Sequence, residues 1–174
     1  MFDHRQPPGR GHDGDHPAAR PSPAGRFLAV RAARWTAEAA DLPAVAGAYL
    51  LLIDLARPVA LAPPLDALLP PGRYVYCGSA RGPGGIRARC ARHLRAGKTL
   101  RWHVDRLSEA ARALRVLAVV DGDECALVAR LRALEGAGIP VAGFGASDCR
   151  TCPAHLLSLP GSAAQVAKRI REAL

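Results

Sequence analysis

The distribution of apolar and polar positions along the chain predicts a sheet interrupted by helices. Short apolar or alternating runs predict strands at residues 46–54, 73–77 and 114–120, with a shorter one at 155–159. Apolar residues at helical spacing predict helices at residues 85–96, 102–111, 124–135 and 162–174. This order predicts an α+β fold with a small, mainly antiparallel sheet of about three strands flanked by helices.

Residues with known capping preferences mark the ends of the predicted helices. Gly97 follows the first helix, as expected of a glycine that ends one. Asp121 or Asp123 is placed to cap the third helix. Ser162 and Gln165 form a capping-box pattern at the start of the last helix, which has an apolar stripe on one face.

The first forty residues differ in composition from the remainder. Residues 1–40 are rich in Pro, Gly, His and Arg and predict a disordered or weakly ordered tail, with a short helix near residues 30–40. Residues 41–174 then form one domain, in keeping with a length of 174 residues. The sequence has no apolar run of about 20 residues and no signal-peptide pattern, so we expect a cytoplasmic protein without membrane association.

Positive charge is concentrated in one segment of a chain whose net charge is +9. Residues 81–106 contain eight basic residues and one acidic residue. Such clustering is typical of nucleic-acid binding, most simply to DNA. The candidate contacts are Arg81, Arg87, Arg92, Arg95, Lys98 and Arg101. An arginine-rich composition bias is the alternative explanation, because charge alone discriminates weakly.

Two tyrosine triplets and the helix that follows them predict one shared cleft. Residues 47–49 read Gly-Ala-Tyr and residues 76–78 read Tyr-Cys-Gly, each on a predicted strand. Tyr74 and Tyr76 share a face because alternate strand residues do. Arg89 and His93 are helix neighbours because they are four positions apart. If the two strands pair as a hairpin, the phenols and the guanidinium face a cleft suited to a phosphodiester.

This arrangement resembles the GIY-YIG nuclease superfamily over roughly residues 47–159. Within it the chain looks most like the Uri superfamily type of predicted endonucleases, which the segments G-S-A-R-G-P-G-G, R-W-H-V-D, E-C and G-F-G-A-S-D-C indicate. The resemblance implies a metal-dependent endonuclease that hydrolyses phosphodiester bonds in DNA, in the repair or processing of structured DNA. It also implies a divalent metal cofactor, Mg²⁺ with Mn²⁺ as a substitute.

The resemblance assigns roles to five residues. Tyr49 would act as general base, and Tyr76 would contact the attacking water or a phosphate oxygen. Arg89 would grip the phosphate, for which a planar, permanently charged guanidinium is suited. His93 would bind either Tyr49 or the phosphate. Glu124 would bind the metal, although a glutamate in the first turn of a helix is also favoured by the helix dipole.

Three features depart from the family pattern. Ala48 and Cys77 stand where the family names have isoleucine, and a small or apolar residue on the face opposite the tyrosines is compatible with a strand. The two tyrosines are separated by a long proline-containing insertion. The chain also has no asparagine, which many family members carry late in the domain, so Ser147 and Asp148 are its candidate replacements.

Other polar residues form two accessory candidates. His103 and Asp105 lie beside the basic segment and are candidates for completing the site or its DNA-facing wall. Cys149, Cys152 and His155 have the spacing of part of a zinc site, with the fourth ligand left open between Cys125 and a distant histidine. Buried reduced thiols are the favoured alternative, because a chain without an export signal is not expected to form disulfides.

Two other functions compete with catalysis. The domain could be an inactive nucleic-acid-binding module of the same fold, or an interaction domain clipped by zinc. Retention of both tyrosines, the arginine, the histidine and the glutamate favours an active nuclease. The sequence leaves open whether the nucleic acid is DNA or RNA and which structure of it is recognised.

Overall fold

The computed structural model describes residues 34–174, which fold around one four-stranded antiparallel sheet. The strands are β1 (Gly47–Leu55), β2 (Val59–Ala60), β3 (Leu68–Leu69), β4 (Gly72–Ala80), β5 (Ala113–Val120) and β6 (Leu156–Ser158). The helices are α1 (Gly85–Leu94), α2 (His103–Ala110), α3 (Glu124–Arg132) and α4 (Ala163–Ala173). The predicted α+β class, with an antiparallel sheet flanked by helices, is confirmed.

The sheet has the strand order β5-β1-β4-β6, so β1 and β4 form its centre. The predicted hairpin between them is present, and its register sets Tyr49 opposite Gly78 and Leu51 opposite Tyr76. The sheet has four strands rather than about three because β6 pairs with β4. The insertion between β1 and β4 forms its own two-stranded hairpin from β2 and β3.

Both faces of the sheet are covered, which explains why every residue of β1 is buried. On one face Tyr49, Leu51 and Ile53 belong to a core completed by residues of α1 and α2. On the other face Leu50 and Leu52 pack into a second core with residues of α3 and α4. Alternation along a strand therefore sends successive side chains into two different cores.

The folded region begins before the predicted boundary at residue 41. The indole of Trp35 donates a hydrogen bond to the Ala167 carbonyl, and Thr36 forms a β-bridge with Val116. In place of the predicted helix, the described part of residues 30–40 has this bridge followed by a single 3-10 turn at Ala39–Asp41. Residues 1–33, which hold most of the predicted tail, lie outside the described residues.

The helices α3 and α4 begin after predicted cap residues, and all four helices are slightly shorter than predicted. Asp123, not Asp121, caps α3, since its carboxylate accepts from the backbone N–H of Ala126 at 2.8 Å. Ser162 and Gln165 form the predicted capping box of α4. Among the described residues, no helix combines the length and the apolar character that a membrane span requires.

Candidate active site

A buried tyrosine and a buried histidine form the centre of the candidate site. Tyr49 on β1 and His93 in the last turn of α1 are each 1% exposed. The Tyr49 hydroxyl lies 2.8 Å from Nε2 of His93, which is hydrogen-bond distance. Of the two roles left open for His93, the structure therefore shows the bond to Tyr49.

Two glycines allow the close packing of the strands and the helix around these side chains. Gly78 stands opposite Tyr49, and a Cβ at Gly78 would collide with the Tyr49 ring and hydroxyl. Gly85, with φ 55°, starts α1 directly against the carbonyl of Val45. The missing Cβ at Gly78 lets the Tyr49 phenol lie directly against β4, and the missing Cβ at Gly85 lets α1 approach the segment that precedes β1.

The second tyrosine lies beside the first on the same face of the sheet. The ring centroids of Tyr49 and Tyr76 are 6.5 Å apart, and Phe144 packs edge-on against Tyr76. A Cβ at Gly145 would lie 2.6 Å from the Tyr76 ring, so this glycine also allows a close approach. Tyr74 is buried and donates to the Pro70 carbonyl at 2.7 Å, so it packs in the core and does not line the cavity.

Arg89 lies at the wall of the cavity above the two phenols. Its guanidinium is 4.7 Å from the centre of the Trp102 ring, and Arg89 lines the cavity together with Tyr49 and Tyr76. Arg92 stacks on the same indole at 3.9 Å. Trp102 was not among the predicted site residues, although a tryptophan inside an arginine-rich segment is a recognisable signal for such stacking.

Glu124 lines the same cavity from α3, the helix that packs on the other face of the sheet. It is the first residue of α3, and one cavity is lined by Tyr49, Tyr76, Arg89 and Glu124 together. Its Oε2 atom is buried and has no hydrogen-bond partner among the described residues. A buried carboxylate oxygen without a partner is costly unless a ligand or cation satisfies it.

Burial keeps the tyrosine and histidine neutral at rest. Burial, reinforced by the neighbouring Tyr76 and Cys90, raises the pKa of Tyr49 well above its usual value despite the opposing effect of Arg89. Burial also raises the pKa of Tyr76 to about 12. Burial lowers the pKa of His93 to about 4, although Asp105 opposes that shift. The resting centre is therefore a phenol hydrogen-bonded to a neutral imidazole.

Asp105 is fully buried beneath the site, so of its two predicted roles the structure excludes only the DNA-facing wall. Its fully buried carboxylate accepts two bonds of 2.7 Å from Arg92 and further bonds from the backbone N–H groups of Arg101 and Trp102. Burial raises the pKa of Asp105, but these hydrogen bonds outweigh burial and lower it to about 2. Nδ1 of His93 lies 4.0 Å from this carboxylate and makes no hydrogen bond within the described part of the chain, so the two interact only electrostatically. This attraction favours the tautomer with its proton on Nδ1, in which Nε2 accepts from Tyr49.

Two of the six candidate nucleic-acid contacts have structural roles instead. The Lys98 side chain is 1% exposed; its Nζ pairs with Glu109 at 2.7 Å and donates to the His93 and Arg95 carbonyls at the end of α1. Arg92 forms an ion pair with the buried carboxylate of Asp105 at 2.7 Å. The other four candidates, Arg81, Arg87, Arg95 and Arg101, are exposed, although Nε of Arg87 also donates to the Leu42 carbonyl at 2.6 Å.

The remaining accessory candidates lie around the cavity mouth. His103 packs against Phe144 and lines the cavity with Tyr49 and Arg89. Ser147 and Asp148, the candidate replacements for the missing asparagine, are exposed and line the same mouth. The geometry places them at the cavity without giving them a chemical role.

A second cluster lies beside Glu124. Cys125, Cys149, Cys152 and His155 bring four ligand atoms within 4.8 Å of one another, so the cluster could hold a metal ion. The fourth ligand left open by the sequence is thus Cys125, which is distant in sequence and comes from the first turn of α3. Sequence spacing alone could not choose it, because the pairing depends on where α3 packs.

The depressed pKa of His93 predicts a stability loss in mild acid. The unfolded chain protonates histidine near pH 6.5 and the folded chain near pH 4, so stability is complete above about pH 6.5 and declines as pH falls toward 4. We expect the urea-derived free energy of unfolding to be about 2 kcal/mol lower at pH 5 than at pH 7. The depressed pKa of Asp105 acts in the same direction only at lower pH, since that stabilisation is lost between about pH 4 and pH 2.

The matched control is His93→Gln, which keeps a polar group near Tyr49 and cannot titrate. It retains the cysteine cluster and every other titrating group, so the difference between the two pH dependences isolates His93. We expect a smaller loss between pH 7 and pH 5 in the variant. Equal losses in the two proteins would show that His93 does not titrate with a depressed pKa.

Comparison with known proteins gives one positive finding. A family model described as "Domain of unknown function DUF123" matches residues 48–174. The matched region contains nearly the whole sheet, all four helices and every residue that lines the cavity of Glu124 and the tyrosines. No curated protein and no solved structure matches the chain.

Proposed function

The chain belongs to the DUF123 family, and we propose that it is a metal-dependent endonuclease of GIY-YIG type that hydrolyses phosphodiester bonds in DNA. The observation that carries this proposal is the lining of one cavity by Tyr49, Tyr76, Arg89 and Glu124. These side chains come from two strands and two helices and supply a proton acceptor, a cation and a carboxylate. Phosphodiester hydrolysis requires groups of these three kinds.

Glu124 is the residue that would hold the metal ion. Its partnerless buried oxygen supports a cation in the cavity, because a hard divalent ion such as Mg²⁺ or Mn²⁺ prefers carboxylate oxygen and takes its other ligands from water and phosphate. When bound, such an ion neutralises the phosphate and stabilises the leaving oxygen. The cysteine cluster has the wrong donors for this ion, which supports Glu124 as its ligand.

The Tyr49–His93 pair supplies the proton acceptor. As water attacks phosphorus, the ester P–O bond to the leaving oxygen breaks, and that oxygen takes a proton from solvent water. The proton of the attacking water moves to the Tyr49 oxygen while the Tyr49 proton passes to Nε2 of His93 along the 2.8 Å contact. This transfer avoids a free phenolate, which the burial of Tyr49 disfavours. The imidazolium that forms is stabilised by the incoming phosphate charge and by the nearby Asp105 carboxylate.

Arg89 and Tyr76 orient the phosphate at this centre. The Arg89 guanidinium stays charged and can donate to two phosphate oxygens at once, while stacking on Trp102 restricts its movement. Tyr76 presents its hydroxyl to the same cavity and keeps its proton, since burial raises its pKa to about 12. Tyr76 is therefore a hydrogen-bond donor to the phosphate or to the attacking water.

The test is a cleavage panel with the purified full chain. Labelled duplex, flap and branched DNA, together with matched RNA, are incubated with Mg²⁺, with Mn²⁺ or with EDTA. We expect cleavage of at least one DNA structure that depends on the added ion and is absent in EDTA. A panel without cleavage under any condition, in a protein that still binds these substrates, would favour the inactive binding module.

A pair of charge-reversal variants checks the nucleic-acid surface. Arg95→Glu with Arg101→Glu removes two exposed cations on the face of the sheet that is covered by α1 and α2. It should weaken DNA binding and flatten its salt dependence, by up to about 0.9 in the log–log slope per lost phosphate contact. The matched control, Lys168→Glu with Arg171→Glu, makes the same charge change on α4, across the sheet. If both pairs of substitutions weaken DNA binding equally, the affinity depends on the net charge of the protein and not on this surface.

A further inference from the structure

The cluster beside Glu124 has separations close to those of a tetrahedral metal site, with all four ligand atoms within 4.8 Å of one another. The Sγ atoms of Cys125 and Cys149 are 3.6 Å apart, and Cys125 Sγ lies 4.0 Å from Nε2 of His155. Ligands about 2.3 Å from a tetrahedral zinc ion are about 3.8 Å from one another. The separation far exceeds the roughly 2 Å of a disulfide bond, and all the cysteines are free.

The donor atoms select the kind of metal. Three thiols and one imidazole are soft or borderline donors that suit zinc and do not suit magnesium or calcium. Four protein ligands fill a tetrahedron completely, so no position remains for a reacting water. The chemistry of the cluster is therefore that of a structural ion, separate from the oxygen site at Glu124.

The backbone already holds the ligands in place. The N–H of Cys152 donates to Cys149 Sγ at 3.2 Å, the kind of contact that orients a metal-bound thiolate. His155 is fixed from both sides, since its N–H donates to Phe144 and its carbonyl accepts from Cys77 on β4. Cys125 is fixed independently by the first turn of α3.

We propose that Cys125, Cys149, Cys152 and His155 bind one structural zinc ion that clamps segment 143–155 to the start of α3. This inference is independent of the proposed hydrolysis. Segment 143–155 contains no regular helix or strand among its residues. Long irregular segments need additional fixation, and a metal that closes a loop supplies it. The ion would connect two segments that line the cavity. One contains Gly145, which contacts Tyr76, and the other begins with Glu124, which precedes the ligand Cys125.

Metal content of the purified full chain tests the proposal directly. Protein prepared without chelator is analysed for zinc, and we expect about one equivalent per chain in the wild type and about none in Cys152→Ser. The matched control is Cys90→Ala, which removes a buried thiol from the core at α1 and should keep the zinc. Unchanged zinc content in Cys152→Ser, or loss of zinc in Cys90→Ala alone, would overturn the assignment.

Two measurements on the wild type keep the test valid if a variant fails to fold. Cobalt(II) added to chelator-stripped protein should give the intense visible absorption of a tetrahedral thiolate site, and a weak octahedral spectrum would contradict the proposal. Zinc should also protect the exposed Arg150, which lies between two ligands, from trypsin. We expect cleavage after Arg150 to be at least about tenfold slower with zinc than with chelator, and equal rates would contradict the clamp.

Discussion

Replacing Glu124 with glutamine should abolish metal-dependent cleavage and leave DNA affinity unchanged or slightly increased. The substitution keeps the size of the side chain and removes the negative charge that would hold the cation. It also removes one repulsive charge from a surface that approaches phosphate. We expect the single-turnover rate with saturating Mg²⁺ to fall by about a thousandfold or more, since the charge stabilisation supplied by the ion is lost.

The control for Glu124→Gln is Glu135→Gln, which makes the same charge change at an exposed position just beyond α3. It should cleave at the wild-type rate. Fluorescence anisotropy with labelled DNA measures affinity for all three proteins, and zinc analysis confirms that the neighbouring cluster is intact. Wild-type cleavage by Glu124→Gln in Mg²⁺ would remove this residue from the metal site.

Replacing Arg89 with lysine should lower the cleavage rate by about a hundredfold while the salt dependence of DNA binding stays nearly constant. Lysine keeps one positive charge, so the number of neutralised phosphates changes little. It lacks the planar fork that donates two parallel bonds and stacks on Trp102. The loss should therefore appear in the rate of the bound complex, because orientation of the phosphate is what changes.

Arg95→Lys is the matched control, since Arg95 is exposed at the end of α1 and makes the same exchange of cation type away from the cavity. Its rate and its salt slope should both equal those of the wild type. If Arg89→Lys cleaves as fast as Arg95→Lys, Arg89 is one basic contact among several and has no orienting role.

The sequence predicted the residues that periodicity alone can bring together. Strand alternation and the four-residue helix spacing correctly placed Tyr49, Tyr76, Arg89 and His93 at one cavity, because the hairpin register follows from apolar patterning. Such local rules also identified the capping box of α4 and reduced the cap of α3 to two aspartates, one of which, Asp123, is the cap. These features depend on contacts near in sequence or on a single strand pairing.

Features that depend on packing between separate elements were predicted poorly. Lys98 and Asp105 looked like exposed polar residues, yet each is buried with a partner on another segment, Glu109 and Arg92 respectively. Both ion pairs join the region of α1 to α2, so they can be predicted only when the packing of these two helices is known. Cys125 was left as one of two options for the same reason, since its distance from Cys149 depends on how α3 meets a loop.

The glycines beneath the two phenols have a consequence for the energetics of substrate binding. Gly78 lies under the Tyr49 ring and Gly145 under the Tyr76 ring, so both rings are confined by backbone in the free protein. Ordering a mobile side chain upon binding costs about 0.5–1.5 kcal/mol. Here that entropy is lost during folding, so the free energy of association with a phosphodiester is not reduced by immobilising either phenol.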